Sequence, residues 1–145
     1  MIRKISVLCI GNICRSPMAE AMLRMGVPHA TVRSAGLQAV VGAKADATAC
    51  TLMLERGFDL TGHRGQQFLY DAHRDSDLIL VMDETQKALL EKNHAQLRGR
   101  VFRLGHFGNT DIFDPYKMSY SSFVECLALI EAGVNEWKNK LQQLT

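Results

Sequence analysis

The sequence predicts a single α/β domain, 1-145, built on a four-stranded parallel sheet with helices on both faces. Three observations carry that expectation. Short apolar runs alternate along the chain with segments of helical period. The runs are continuously apolar rather than alternating, as strands buried on both faces must be. The chain of 145 residues is long enough for one core, and no repeat, low-complexity segment or linker interrupts it.

The elements follow in order. Residues 4–9 read as a buried strand. Residues 16–26 read as a helix with Met18, Ala21, Met22 and Met25 on one stripe. Residues 31–35 are a short strand, and 45–57 a helix ended by Gly57. Residues 77–82 form a continuous apolar strand, 84–95 a helix and 100–104 a fourth strand. The stretch from 105 to 118 is the longest irregular segment, a length that suits a functional loop. Phe123, Leu127, Ile130, Val134, Trp137 and Leu141 recur at helical spacing and define a long amphipathic helix.

Composition narrows the function. Charged residues make up 22% and the formal net charge is +2, which implies neither a nucleic-acid partner nor a membrane surface. No apolar run approaches the roughly 18 residues of a membrane span, and no signal-peptide pattern opens the chain. The cysteines, Cys9, Cys14, Cys50 and Cys126, lack zinc spacing, so no metal is expected. Cys50 and Cys126 read as small core residues in helices, and His29, His73, His94 and His106 as surface residues.

The chemistry concentrates after the first strand, in Cys9-Ile10-Gly11-Asn12-Ile13-Cys14-Arg15-Ser16-Pro17. A cysteine at a strand end, a five-residue loop, then arginine at a helix start make an anion cup. Loop N–H groups and the positive helix end point at one place. Arg15 supplies a planar fork for two phosphate oxygens. A cysteine in that field is favoured as thiolate, the form that attacks. Gly11 suits a tight turn and a close backbone approach. Ser16 can cap the helix and also offer its hydroxyl to the sulfur, and Pro17 suits a first helical turn. Cys9, Ser34 and Asp83 fall at expected strand ends, the rim where such sheets bind ligands.

The string from Cys9 to Ala21 resembles the signature of the low-molecular-weight protein tyrosine phosphatases. Ser34-Ala35-Gly36, the strand ending at Asp83, and Asp114-Pro115-Tyr116 resemble further landmarks of that family, in its order. The resemblance implies a flavodoxin-like fold and a metal-independent phosphotyrosine hydrolase without cofactors. It implies Cys9 as nucleophile, a phosphate-binding set of Ile10, Gly11, Asn12, Ile13, Cys14, Arg15 and Ser16, and Asp114 as general acid. Asp111 is the alternative acid, without the Pro-Tyr context. Asn12, Ser16, Ser34 and His63 resemble the supporting hydrogen-bond set, and Asn12 suits a left-handed loop position. Asp83 either pairs with Arg15 or caps the next helix. Ile10, Ile13, Val40 and Tyr116 are expected to wall the substrate pocket. Val40 stands where many relatives carry an aromatic, and Lys117 where some carry a second tyrosine, which implies a more open pocket. Cys14 is implied as a redox partner of Cys9, with packing beneath the loop as the alternative.

The loops Val40–Asp46, Gly62-His63-Arg64 and Gly105-His106 resemble the bacterial branch that accompanies tyrosine autokinases of exopolysaccharide export. That implies an enzyme acting on a membrane autokinase; a thiolate nucleophile points to a reducing cytoplasm, and a monomer is expected. Rival readings each lack a feature. An arsenate reductase needs cysteines in 83–100, where there are none. Phosphoarginine phosphatases tend to carry Thr where Ile13 stands. A phosphoprotein reader would lack the nucleophile or the acid.

Overall fold

The computed structural model describes residues 1–144. Four strands form one parallel sheet: β1 (Lys4–Cys9), β2 (Thr31–Gly36), β3 (Leu78–Val81) and β4 (Val101–Arg103). Their order is β2-β1-β3-β4, the flavodoxin-like winding. The chain leaves β1 toward β2, then crosses back to β3 on the other side. The β1 C-terminus is therefore the topological switch point, where such sheets open a ligand crevice.

The helices are α1 (Arg15–Gly26), α2 (Ala47–Glu55), α3 (Tyr70–His73), α4 (Glu84–Asn93) and α5 (Tyr120–Gln143), with a short 3-10 turn at Ala95–Leu97. Their ends follow local chemistry. Asp46 caps α2 by accepting from the N–H groups of Thr48 and Ala49, and Ser119 caps α5 by accepting from Ser122 N–H. Gly57, at φ 85°, ends α2 in a Schellman motif: Gly57 N–H donates to Leu54 O and Phe58 N–H to Met53 O.

Two cores cover the two faces of the sheet. Ile5, Val7 and Cys9 of β1 join Met18 and Leu23 of α1, Leu52 and Met53 of α2, and the buried stripe of α5. Leu8 joins Ile79, Val81, Leu90, Leu97 and Val101 on the other face. The period of two along β1 and β3 divides the residues between the layers.

Three expectations, on Met25, His73 and Ser34, are corrected, and one element is added. Met25 is exposed, and α1 packs through Met18, Ala19, Met22 and Leu23 instead. His73 is buried, because its Nδ1 meets Ser6 Oγ at 2.7 Å inside the molecule. The α3 turn went unforeseen because four residues carry no readable helical period. Ser34 sits two residues inside β2, not at its end.

Candidate active site

Cys9 closes β1 and is buried, and the loop after it wraps into α1. The carbonyls of this loop are held from outside. Cys9 O accepts from Leu37 N–H at 2.9 Å, Ile10 O from Gln38 N–H at 2.9 Å, and Gly11 O from Val40 N–H at 3.0 Å. Asn12 O accepts from His63 Nε2 at 2.6 Å and Ile13 O from Asp46 N–H at 2.8 Å. Among the described residues, the N–H groups of 10–15 meet no protein acceptor. A loop with its carbonyls turned outward and its amides uncommitted is built to receive an anion.

Asn12 carries the strain that makes this turn possible. Its φ is 58° and it is fully buried. Gly11 does not adopt that conformation; a Cβ there would meet only Ile13 and Val40 at ordinary distances, so its bareness keeps the pocket open. The Asn12 Nδ2 donates to Ser16 Oγ at 2.7 Å and to Ser34 Oγ at 3.0 Å, while Oδ1 accepts from Gln66 N–H at 2.9 Å. Because Ser16 Oγ accepts from Asn12, its hydrogen is free for Cys9 Sγ, 2.9 Å away. Of the two roles expected of Ser16, capping is corrected and only the one toward sulfur is kept. Cys14 is the N-cap of α1, with no side-chain cap, and Ser16 serves the sulfur.

A second tier was not legible as a site. Ser34 Oγ donates to Glu20 Oε1 at 2.8 Å, and His63 Nδ1 lies 3.9 Å from the same oxygen. Glu20 thus ties both braces of Asn12 together from α1. Its place in the quoted motif was the only signal, and motif membership does not say what a side chain touches.

Arg15 is 3% exposed and donates from Nη1 to Ile112 O at 2.8 Å. Asp83 lies 3.9 Å from Nη1, and Asp114 Oδ2 lies 3.7 Å from Nη2. Asp83 does both things proposed for it, since its Oδ1 also accepts from Gln86 N–H and caps α4. Asp114 is half-exposed, and its Oδ1 accepts from Tyr116 N–H at 3.0 Å. Asp111 is engaged elsewhere, accepting from Arg103 Nη1 and Glu84 N–H.

Cys9, Arg15 and Asp114 border one pocket of about 190 Å³, together with Ile10, Ile13, Val40, Tyr116, Gly11, Cys14 and Gln38. Gln38 is the wall residue that went unforeseen. Val40 and Tyr116 are half-exposed at the rim. Burial, then the carboxylates of Asp46 and Asp114, push the Cys14 thiol far up. Burial pushes that of Cys126 up to about 12. No cluster of three or more His, Cys, Asp or Glu able to hold a metal occurs among the described residues.

Residues 4–144 match the model of the family described as low molecular weight phosphotyrosine protein phosphatase. The chain belongs to that family. It is 44% identical over 144 residues to a probable low molecular weight protein-tyrosine-phosphatase EpsP of Ralstonia nicotianae, covering 99% of each chain. The crystal structure of the tyrosine phosphatase AmsI of Erwinia amylovora superimposes with a TM-score of 0.92 at 41% identity, covering 97% of this chain and 93% of that one. Vibrio vulnificus Wzb in complex with benzylphosphonate gives a TM-score of 0.92 at 36% identity, covering 97% and 99%. Membership makes this phosphatase a hydrolase of the protein-tyrosine-phosphatase class, whose chemistry is typically cysteine-based and metal-independent.

Proposed function

We propose that this phosphatase hydrolyses protein phosphotyrosine through a cysteinyl-phosphate on Cys9. One observation carries the reading: the Cys9 sulfur, uncommitted loop amides and Arg15 face the same pocket as Asp114. Cys9 attacks phosphorus as the bond to the phenol oxygen breaks. Asp114 gives its proton to that oxygen, then takes one from the water that displaces sulfur. Arg15 and the N–H groups of residues 10–15 hold the equatorial oxygens, whose charge and geometry change in the transition state. The Ser16 hydroxyl donates to sulfur and stabilises it as nucleophile and leaving group.

Cys9 lies deep and only 3% exposed, which favours the long phosphotyrosine side chain over phosphoserine. Ile10, Ile13 and Val40 supply apolar wall, and the Tyr116 ring a stacking face. The Vibrio relative was solved in complex with benzylphosphonate, a phenyl ring joined to a phosphonate through one carbon, much as phosphotyrosine joins ring and phosphate through one oxygen. Likeness to EpsP, AmsI and Wzb supports the further reading of a cytoplasmic, monomeric enzyme that dephosphorylates a membrane tyrosine autokinase of exopolysaccharide export. Among the described residues no helix is long and apolar enough to cross a membrane. Cys14 belongs to this reading as the thiol that would condense with a Cys9 sulfenic acid formed by peroxide, releasing water and leaving a Cys9–Cys14 disulfide, a net loss of two hydrogens that added thiol reverses.

Phosphate release from matched phosphotyrosine, phosphoserine and phosphoarginine peptides tests the chemistry. Release is expected from phosphotyrosine alone, abolished by Cys9→Ser and slowed about 10²–10⁴-fold by Asp114→Asn. Undiminished turnover in Cys9→Ser would remove the mechanism.

A further inference from the structure

A second cavity, of about 390 Å³, shares no lining residue with the pocket above Cys9. It is bordered by Ser34 and His63, the two groups that hold the Asn12 amide and carbonyl. Three guanidinium groups, those of Arg24, Arg33 and Arg64, also border it. Glu20 is the one carboxylate there, and it is engaged by Arg24 Nη2 at 2.8 Å, by Ser34 and beside His63. The cavity therefore keeps an excess of positive charge.

Several donors in it are uncommitted. Arg64 uses only Nη1, on the carbonyls of Thr61 and His63, and Arg33 uses only Nη2, on Ser76 and Asp75. A guanidinium has five N–H bonds, so both retain donors without an acceptor among the described residues. His73 also borders the cavity. Behind the ring, His73 Nδ1 lies 2.7 Å from Ser6 Oγ, and Ser6 Oγ lies 2.6 Å from Ser76 Oγ, which accepts from Arg33 Nη2. Guanidinium N–H donors left uncommitted in a cavity of net positive charge suit an oxyanion rather than a cation or an apolar ligand.

We propose that this cavity binds a phosphate-type oxyanion, at a site separate from the pocket above Cys9 and joined to it through Asn12. The anion comes either free in solution or as a second phosphorylated side chain of a bound substrate. The site stands whether or not Cys9 is the nucleophile.

Inorganic phosphate titrated into the full chain, followed by residue-resolved NMR, tests it. The Arg33 and Arg64 side-chain N–H signals and the His73 ring should shift along a saturation curve of their own, distinct from that of amides 10–15. The double variant Arg33→Ala/Arg64→Ala should weaken that binding about tenfold or more while loop binding changes less than about twofold. An unchanged melting temperature in the variant separates lost binding from lost fold. In a Cys9→Ser background, a doubly phosphorylated tyrosine peptide should outbind its singly phosphorylated form only if substrate supplies the anion. Equal peptide affinities with saturable phosphate binding assign the free ion. Linear, unsaturated shifts at Arg33 and Arg64, or saturation that survives the double variant, would overturn the site.

Discussion

Asn12 shows what one residue contributes to this site. It combines a left-handed φ of 58° with three side-chain hydrogen bonds and a carbonyl held by His63. Left-handed backbone costs a residue with a Cβ about 1–2 kcal/mol, which Asn offsets locally better than most. Asn12→Ala should therefore lower stability by roughly 2–4 kcal/mol, adding strain to lost buried hydrogen bonds. Asn12→Gly keeps the backbone without strain and should lose less stability, yet still lose turnover, because Ser16 and Ser34 lose their donor. Denaturant melts and kcat for both variants check this, and equal stability losses would show that backbone strain is not part of the design.

At the scale of elements, the loop is shaped by its seating on β2 as much as by its own sequence. Gly36 ends β2 directly against it. A Cβ at Gly36 would lie 2.5 Å from Ile10 O and 3.0 Å from Ala39, both backbone contacts that cannot swing aside. Gly36→Ala should displace the loop, lowering stability by about 1–3 kcal/mol and turnover along with it. Thermal melts and phosphotyrosine peptide kinetics on that variant are the measurement, and wild-type values in both would contradict the seating. Loss of the α2 cap belongs to the same scale. Asp46→Ala should cost about 1 kcal/mol, seen as a lower melting temperature, because its side chain holds two N–H groups.

Over the whole molecule, His73 ties α3 to β1 and makes folding respond to acid. Burial first, then the Arg33 charge, hold its pKa down to about 4, against the ordinary 6.5. The unfolded chain therefore binds a proton that the folded chain refuses between those values. Stability from this group is complete above about pH 6.5 and declines as pH falls toward about 4, at no more than ~1.4 kcal/mol per unit. Chemical denaturation between pH 7 and 4 should show that slope, and His73→Gln should flatten it. A slope unchanged in the variant would move the acid sensitivity to other groups.

The reach of the sequence follows from what is contiguous in it. The strands, the cup from Cys9 to Ser16, and the long α5 stripe were readable because period and motif are local properties. Asp114 was readable through its neighbours Pro115 and Tyr116, not through its distance to Arg15. Tertiary structure alone decided the rest. Glu20, Gln38 and Gln66 enter the site because strands and loops distant along the chain meet there. His73 is buried because Ser6, 67 positions earlier, waits for it in the sheet. Ser16 serves the sulfur rather than the helix end because α1 already begins at Arg15, which places Ser16 inside its first turn beside Cys9. Local spacing specifies which backbone a segment prefers, but a hydrogen bond across the fold depends on where two segments come to rest, and only packing determines that.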